Sequence, residues 1–167
     1  MGNKKFSSEL IISISAIIIA VVSVVVTVWQ GIETRRHNRL SVQPRLELTF
    51  ALSYKEDKAD FTLKNKGLGP AILGNATAVI NGTTYNLNDT DRFFEFLDKM
   101  GIGSVSISFD NLEYESTVIP NETLTIFSVK ISDLKNLGIK PPSIMTNVKV
   151  SIKYKSLYEE DFVVTQE

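Results

Sequence analysis

The residues best equipped for chemistry in this 167-residue chain are its carboxylates and a single histidine. Acidic groupings occur at Glu56-Asp57, at Asp89-x-Asp91 with Glu95 four residues on, and at Glu159-Glu160-Asp161. Paired carboxylates can share general acid–base work or hold a hard cation when rigid elements bring them together. The first and last groupings fall between alternating apolar runs, where hairpin turns leave charge in water. The middle one lacks the glycine and the further oxygen ligands of an EF-hand loop. Acids in the first turn of a helix, complementing its dipole, account for it better. A Ser–His–Asp or Cys–His system would need His37, which stands among arginines without a partner of the right type. There is no cysteine, so disulfides, thiolate nucleophiles and zinc–thiolate sites are excluded. The residues therefore nominate no catalytic, metal or cofactor site, and the expectation is a protein that is not an enzyme.

The elements that would position any such group begin with an apolar run. Leu10 to Trp29 reads LIISISAIIIAVVSVVVTVW, without charge, proline or glycine. Twenty helical residues at about 1.5 Å each span roughly 30 Å, the hydrocarbon thickness of a bilayer. In lipid only a helix satisfies its own backbone within one segment, so a transmembrane helix is expected despite the β-branched content. The run is longer than a signal-peptide core, and no small-residue cleavage site follows it. Met1-Gly2 suggests myristoylation, but Phe6 occupies the position where Ser or Thr is required. The small and polar residues of the span keep a 3-4 spacing: Ser13, Ala16, Ala20, Ser23 and Thr27, continued by Gln30 and Thr34. Two readings fit. Small residues let helices approach in lipid, which makes this line a self-association face; alternatively the hydroxyls bond back to their own helix and carry no message.

Trp29 ends the run where an indole prefers the headgroup region, and Arg35, Arg36 and Arg39 follow as a collar for anionic lipid. Lys4 and Lys5 flank the other side. Three or four arginines, counting Arg45, against two lysines predict a cytoplasmic C-terminal domain. From Leu46 onward the chain carries 12 basic and 17 acidic residues, a poor surface for nucleic acid. The segment ETRRHNRLSVQPRLEL, Glu33 to Leu48, and the later NKGLGPA, Asn65 to Ala71, resemble a group of uncharacterised small bacterial membrane proteins. That group shares one N-terminal transmembrane helix, an H-N-R-L-S-V-x-P hinge and an N-x-G-L-G-P-A turn. The resemblance covers roughly positions 29–80. It implies a bacterial source and a membrane-anchored β domain, and no activity.

Beyond the hinge the pattern changes to period two. Leu46, Leu48, Phe50 and Leu52 alternate, as do Phe61 and Leu63, and the pair reads as a hairpin. Gly67, Gly69 and Pro70 cannot continue a strand. They lack the spacing of a phosphate-binding loop and read as a structural turn. Another strand follows, over Ala71 to Leu73 and then Ala76 to Ile80. Asn81-Gly82 then demands a tight turn. Asn88, Asp89 and Thr90 offer caps for a helix to about Met100 that buries Phe93, Phe96, Leu97 and Met100, with Phe94 off the centre of that face. Val105 to Phe109 and Leu112 to Val118 are expected to pair through a turn at Asp110-Asn111. Four Asn-x-Thr triplets, at Asn75, Asn81, Asn88 and Asn121, read as turn chemistry rather than glycan acceptors.

Eight or nine short strands with frequent turns predict an immunoglobulin-like β-sandwich with one inserted amphipathic helix, a barrel being the alternative. The expected plan is a tail (1–9), a transmembrane helix (10–29), a juxtamembrane helix and hinge (30–43), and the sandwich (44–167). It describes a membrane-anchored binding or adaptor protein, self-associating through its span, whose partners are the bilayer and another protein. A sensor–effector, in which ligand binding by the sandwich drives association of the span, is the alternative.

Overall fold

The computed structural model describes residues 8–166. Lys4 and Lys5, one arm of the orientation argument, lie outside them, as does the Met1-Gly2 terminus. The chain divides into a helical unit ending at Leu40 and a second unit starting at Ser41. The first is a single helix, α1 (Ser8–Ser41), of 34 residues with none buried. It is long and apolar enough to cross a membrane, and it ends where Pro44 restricts the preceding residue.

The second unit is a mainly-β sandwich of two antiparallel sheets. β1 (Leu46–Ser53), β2 (Lys58–Asn65), β7 (Thr123–Lys130) and β5 (Ile107–Ser108) lie in that order in one sheet. The other runs β4 (Thr83–Asn86), β3 (Ala71–Ile80), β8 (Val148–Lys155), β9 (Asp161–Gln166), with β6 (Thr117–Val118) beside β3. β1 and β9 edge different sheets and lie against each other. There is no barrel closure: β1 and β9 do not pair.

Alternation decides the inward faces. Ala59, Phe61 and Leu63 of β2 meet Ala76, Ala78, Val150 and Ile152 of the other sheet in one apolar core. Phe61 and Phe127, opposite each other, hold their rings 5.5 Å apart. Burying an aromatic side chain contributes roughly 2–3 kcal/mol. The register of β2 on β7 shifts between Phe61 and Thr62, where Ile126 is the extra residue. That bulge lets the consecutive Ile126 and Phe127 both turn inward.

α2 (Thr90–Lys99) covers one side of the core. Asp89 caps it, its carboxylate accepting from the amides of Asp91 and Arg92 at 3.0 and 3.1 Å. Phe93, Phe96 and Leu97 are buried as their spacing predicts, while Met100, at the C-cap where the helix ends, is only partly buried. Phe94 is half exposed but packs edge-on to Phe109 at 5.5 Å, which makes it the margin of the same apolar stripe. The Asn81-Gly82 turn has φ of 50° and 83°, the two positive values that this hairpin needs. A short α3 (Ile131–Asn136) and one 3-10 turn (Pro141–Ser143) complete the unit.

The strand expected over 71–73 and 76–80 is β3, with a bulge at Gly74 and Asn75. One expectation is corrected. The proposed pairing of 105–109 with 112–118 does not form: β5 belongs to one sheet and β6 to the other. Asp110 is the reason. Its amide donates to Thr125 O at 2.7 Å and its carboxylate accepts from Thr125 N at 2.7 Å, so it continues the pairing with β7 instead of turning the chain.

Candidate functional site

Residues 42–45 and the turn at 65–70 meet in space. The chain leaves α1 at Ser41, and residues 42–45 run along the turn between β2 and β3. Gln43 O accepts from the amides of Leu68 (3.2 Å) and Gly69 (3.4 Å), and Arg45 O accepts from Lys66 N at 2.7 Å. The glycines are needed for close approach. A Cβ on Gly67 would lie 2.3 Å from Arg45 N, and one on Gly69 would lie 1.6 Å from Val42 O. Pro70 stands just before β3, so the turn carries the chain from one sheet to the other.

Asn65 holds the arrangement together. It occupies the inward position that follows Ala59, Phe61 and Leu63, and it is wholly buried. Its Oδ1 accepts from Arg45 N (3.2 Å) and Gly67 N (2.9 Å). Its Nδ2 donates to Gly69 O (2.8 Å) and Val118 O (2.9 Å). Two donors and two acceptor positions are the full capacity of a carboxamide, and all are filled. Its backbone is engaged as well, the amide donating to Glu122 O and the carbonyl accepting from Asn121 N. Beside it, Lys66 meets Glu47 at 2.6 Å, and that bonded ammonium holds the Glu47 carboxyl below the usual carboxylate range. Sequence reasoning singled out Gly67, Gly69 and Pro70 and missed Asn65. The available signal was a polar residue at an inward position of an alternating strand.

A second feature is an open groove of about 560 Å³. Its floor is the β3 bulge, where Gly74 approaches the Lys153 carbonyl closely enough that a Cβ would lie 3.2 Å from it. Asn88 secures the bulge: its Oδ1 accepts from Ala76 N at 2.7 Å, and its Nδ2 donates to Gly74 O and Leu112 O at 3.2 and 2.7 Å. Tyr114 and Glu115 form one rim, and Leu157 and Glu159 the other. Glu115 and Glu159 both hold positive φ, 64° and 60°, which favours glycine in an unconstrained chain. Ser156, buried in the β8–β9 turn, accepts from the amides of Tyr158 and Glu160. Lys153, Lys155, Glu159 and Asp161 also line the groove, Lys155 and Asp161 lying opposite each other on β8 and β9. The Glu159-Glu160-Asp161 run thus shapes a surface as well as a turn. Tyr154, on the same wall, accepts from Leu46 N at 3.4 Å through its hydroxyl, beside the Asn65 cluster.

The helix residues stand apart. Ser13, Ala16, Ala20, Ser23 and Thr27 are exposed on α1, as are Trp29, Arg35, Arg36 and Arg39. Ser13, Ser23 and Thr27 each donate to the carbonyl four residues back, at 2.7–2.9 Å. Ser15, which lies off the 3-4 line, does the same at 2.8 Å. His37 is exposed on α1. Among the described residues no group of three or more His, Asp or Glu side chains could hold a metal ion. Asp89 is engaged as a helix cap, and Arg92 pairs with Glu95 at 2.7 Å.

These features define a class: a two-sheet β-sandwich preceded by a helix long and apolar enough to cross a membrane. No protein-family model matches the chain, and no curated protein matches it. Among solved structures, the archaellum periplasmic stator protein FlaG from Sulfolobus acidocaldarius is similar over 74% of this chain and 100% of that one. The identity is 11% and the TM-score 0.30, too low to support any argument about function.

Proposed function

We propose that this protein is a single-pass membrane anchor whose β-sandwich holds another protein at the membrane surface. α1 carries the reading. A core helix is buried by its own domain, whereas no residue of α1 is buried. An apolar surface of that length is stable in lipid and aggregates in water. Trp29 and the arginine collar at Arg35, Arg36 and Arg39 suit the interface on one side, and their charge favours a cytoplasmic sandwich. The groove beside Tyr114 and Leu157 is the surface offered to a partner, since it presents exposed apolar side chains among charges of both signs.

The test has two parts. Alkaline carbonate should leave the full-length protein in the membrane pellet; release into the supernatant overturns the anchor. Detergent-solubilised full-length protein should co-purify with a defined partner, and Tyr114→Ala with Leu157→Ala should lose that partner while remaining membrane-bound. Retention by this double variant would remove the groove from the reading.

A sensor–effector whose span self-associates is the second reading. The 3-4 line favours it, because Gln30 and Thr34 extend the line beyond the apolar run. Replacing Ala16, Ala20 and Ser23 with Leu should abolish cross-linking of the full-length protein in membranes. Unchanged cross-linking dismisses that face.

A further inference from the structure

We infer that the turn at 65–70 is a latch that makes residues 42–45 part of the sandwich, so that the ordered β unit begins at Val42, ahead of β1. A flexible linker is built from solvated glycine and serine, with its backbone groups left to water. Here the sequence is Val42-Gln43-Pro44-Arg45, and the sandwich engages it atom by atom. Gln43 O takes two amides, Arg45 N is held by the Asn65 carboxamide, and Arg45 O takes the amide of Lys66. Pro44 is buried and has no amide to satisfy. Val42 O abuts Gly69 so closely that even a methyl group there cannot fit.

The latch also reaches the groove. The Asn65 carboxamide that holds Arg45 N also holds Val118 O on β6, and the loop leading into β6 is the groove rim at Tyr114 and Glu115. The groove wall adds a second connection through the Tyr154 hydroxyl to Leu46 N. This inference concerns the sandwich alone and stands whether or not α1 crosses a bilayer.

The absence of cysteine allows a single nitroxide label to be placed without background. Gln43→Cys in the full-length protein in detergent puts the label on an exposed side chain, leaving the latched carbonyl in place. Its spectrum should be as broad as that of a label at Thr49→Cys, an exposed site on β1. Adding Gly69→Ala, which forces Val42 outward, should collapse it to the sharp lines of a mobile loop, while Gly31→Ala on the open face of α1 should leave it unchanged. Sharp lines in the otherwise unaltered protein overturn the latch. So do broad lines in the Gly69→Ala protein when its thermal transition is retained. If Gly69→Ala does not fold, the comparison of Gln43→Cys with Thr49→Cys decides alone.

Discussion

The hydroxyls of α1 and the carboxamide of Asn65 are both polar groups set among apolar neighbours, and their reach is opposite. Ser13, Ser23 and Thr27 each satisfy their own helix four residues back. Such a bond joins nothing that the backbone has not already joined. Asn65 bonds the entry segment 20 residues before it and a strand 53 residues after it. Where a polar side chain is buried and serves distant segments, several donors and acceptors depend on it at once. The more regular pattern is therefore the weaker determinant of structure here. A single buried carboxamide at the end of an alternating strand ties the entry segment to the sandwich.

The largest effect should follow from removing that residue. Asn65→Ala strands two part-buried amides and two buried carbonyls, each worth about 1 kcal/mol or more when left unpaired. The loss should total at least about 3 kcal/mol, a large share of the roughly 5–15 kcal/mol that stabilises an ordinary domain. Thermal unfolding of the full-length protein in detergent measures it. A midpoint within about 2 °C of the unaltered protein would mean that water replaces the carboxamide and that Asn65 is not the determinant argued here.

The same contrast separates what was readable in the sequence from what was not. Local rules carried α2, because Asp89 caps the amides next to it and Phe93, Phe96 and Leu97 share a face by spacing alone. They carried the Asn81-Gly82 hairpin, whose partners are adjacent. They failed for β5 and β6. Each is two residues long, and Asp110 between them is committed to Thr125, 15 residues away. A residue that favours turns was captured by a distant strand, and no pattern within 105–118 encodes that. At the candidate site, the glycines of the 66–70 turn announced a special backbone but not its cause. The cause is Val42, Gln43 and Arg45 lying against it, which requires the folded chain. The groove was invisible for a similar reason: Gly74, Tyr114 and Glu159 come from three separate segments.

A smaller effect tests long-range capping by a charged group. Asp57, at φ 54° in the β1–β2 turn, accepts from the Ser132 amide at 2.9 Å and hydroxyl at 2.6 Å, securing the first turn of α3. The Ser132 hydroxyl is the main cause that holds its carboxyl below the usual range. A carboxyl lowered on folding adds stability above its unfolded value of about 3.9, and loses that contribution as pH falls through the folded value. Asp57→Asn should therefore be less stable than the unaltered protein at pH 7, with the gap narrowing below about pH 4. Unfolding midpoints of both proteins from pH 7 to pH 3 give the comparison. A gap that stays constant across that range means that the carboxylate charge plays no part.

The smallest effect belongs to the helix. Ser23→Ala and Thr27→Ala remove bonds that close on α1 itself, and alanine is the better helix former, so neither helix content nor membrane retention should change. Their value lies beside the leucine substitutions at Ala16, Ala20 and Ser23. If small size is what the 3-4 line supplies, Ser23→Ala keeps association and Ser23→Leu removes it. If the hydroxyls bridge between helices, Ser23→Ala with Thr27→Ala weakens cross-linking in membranes by itself. That result would give α1 the long reach here reserved for Asn65, and the contrast between the two regions would fail at the helix, not at the latch.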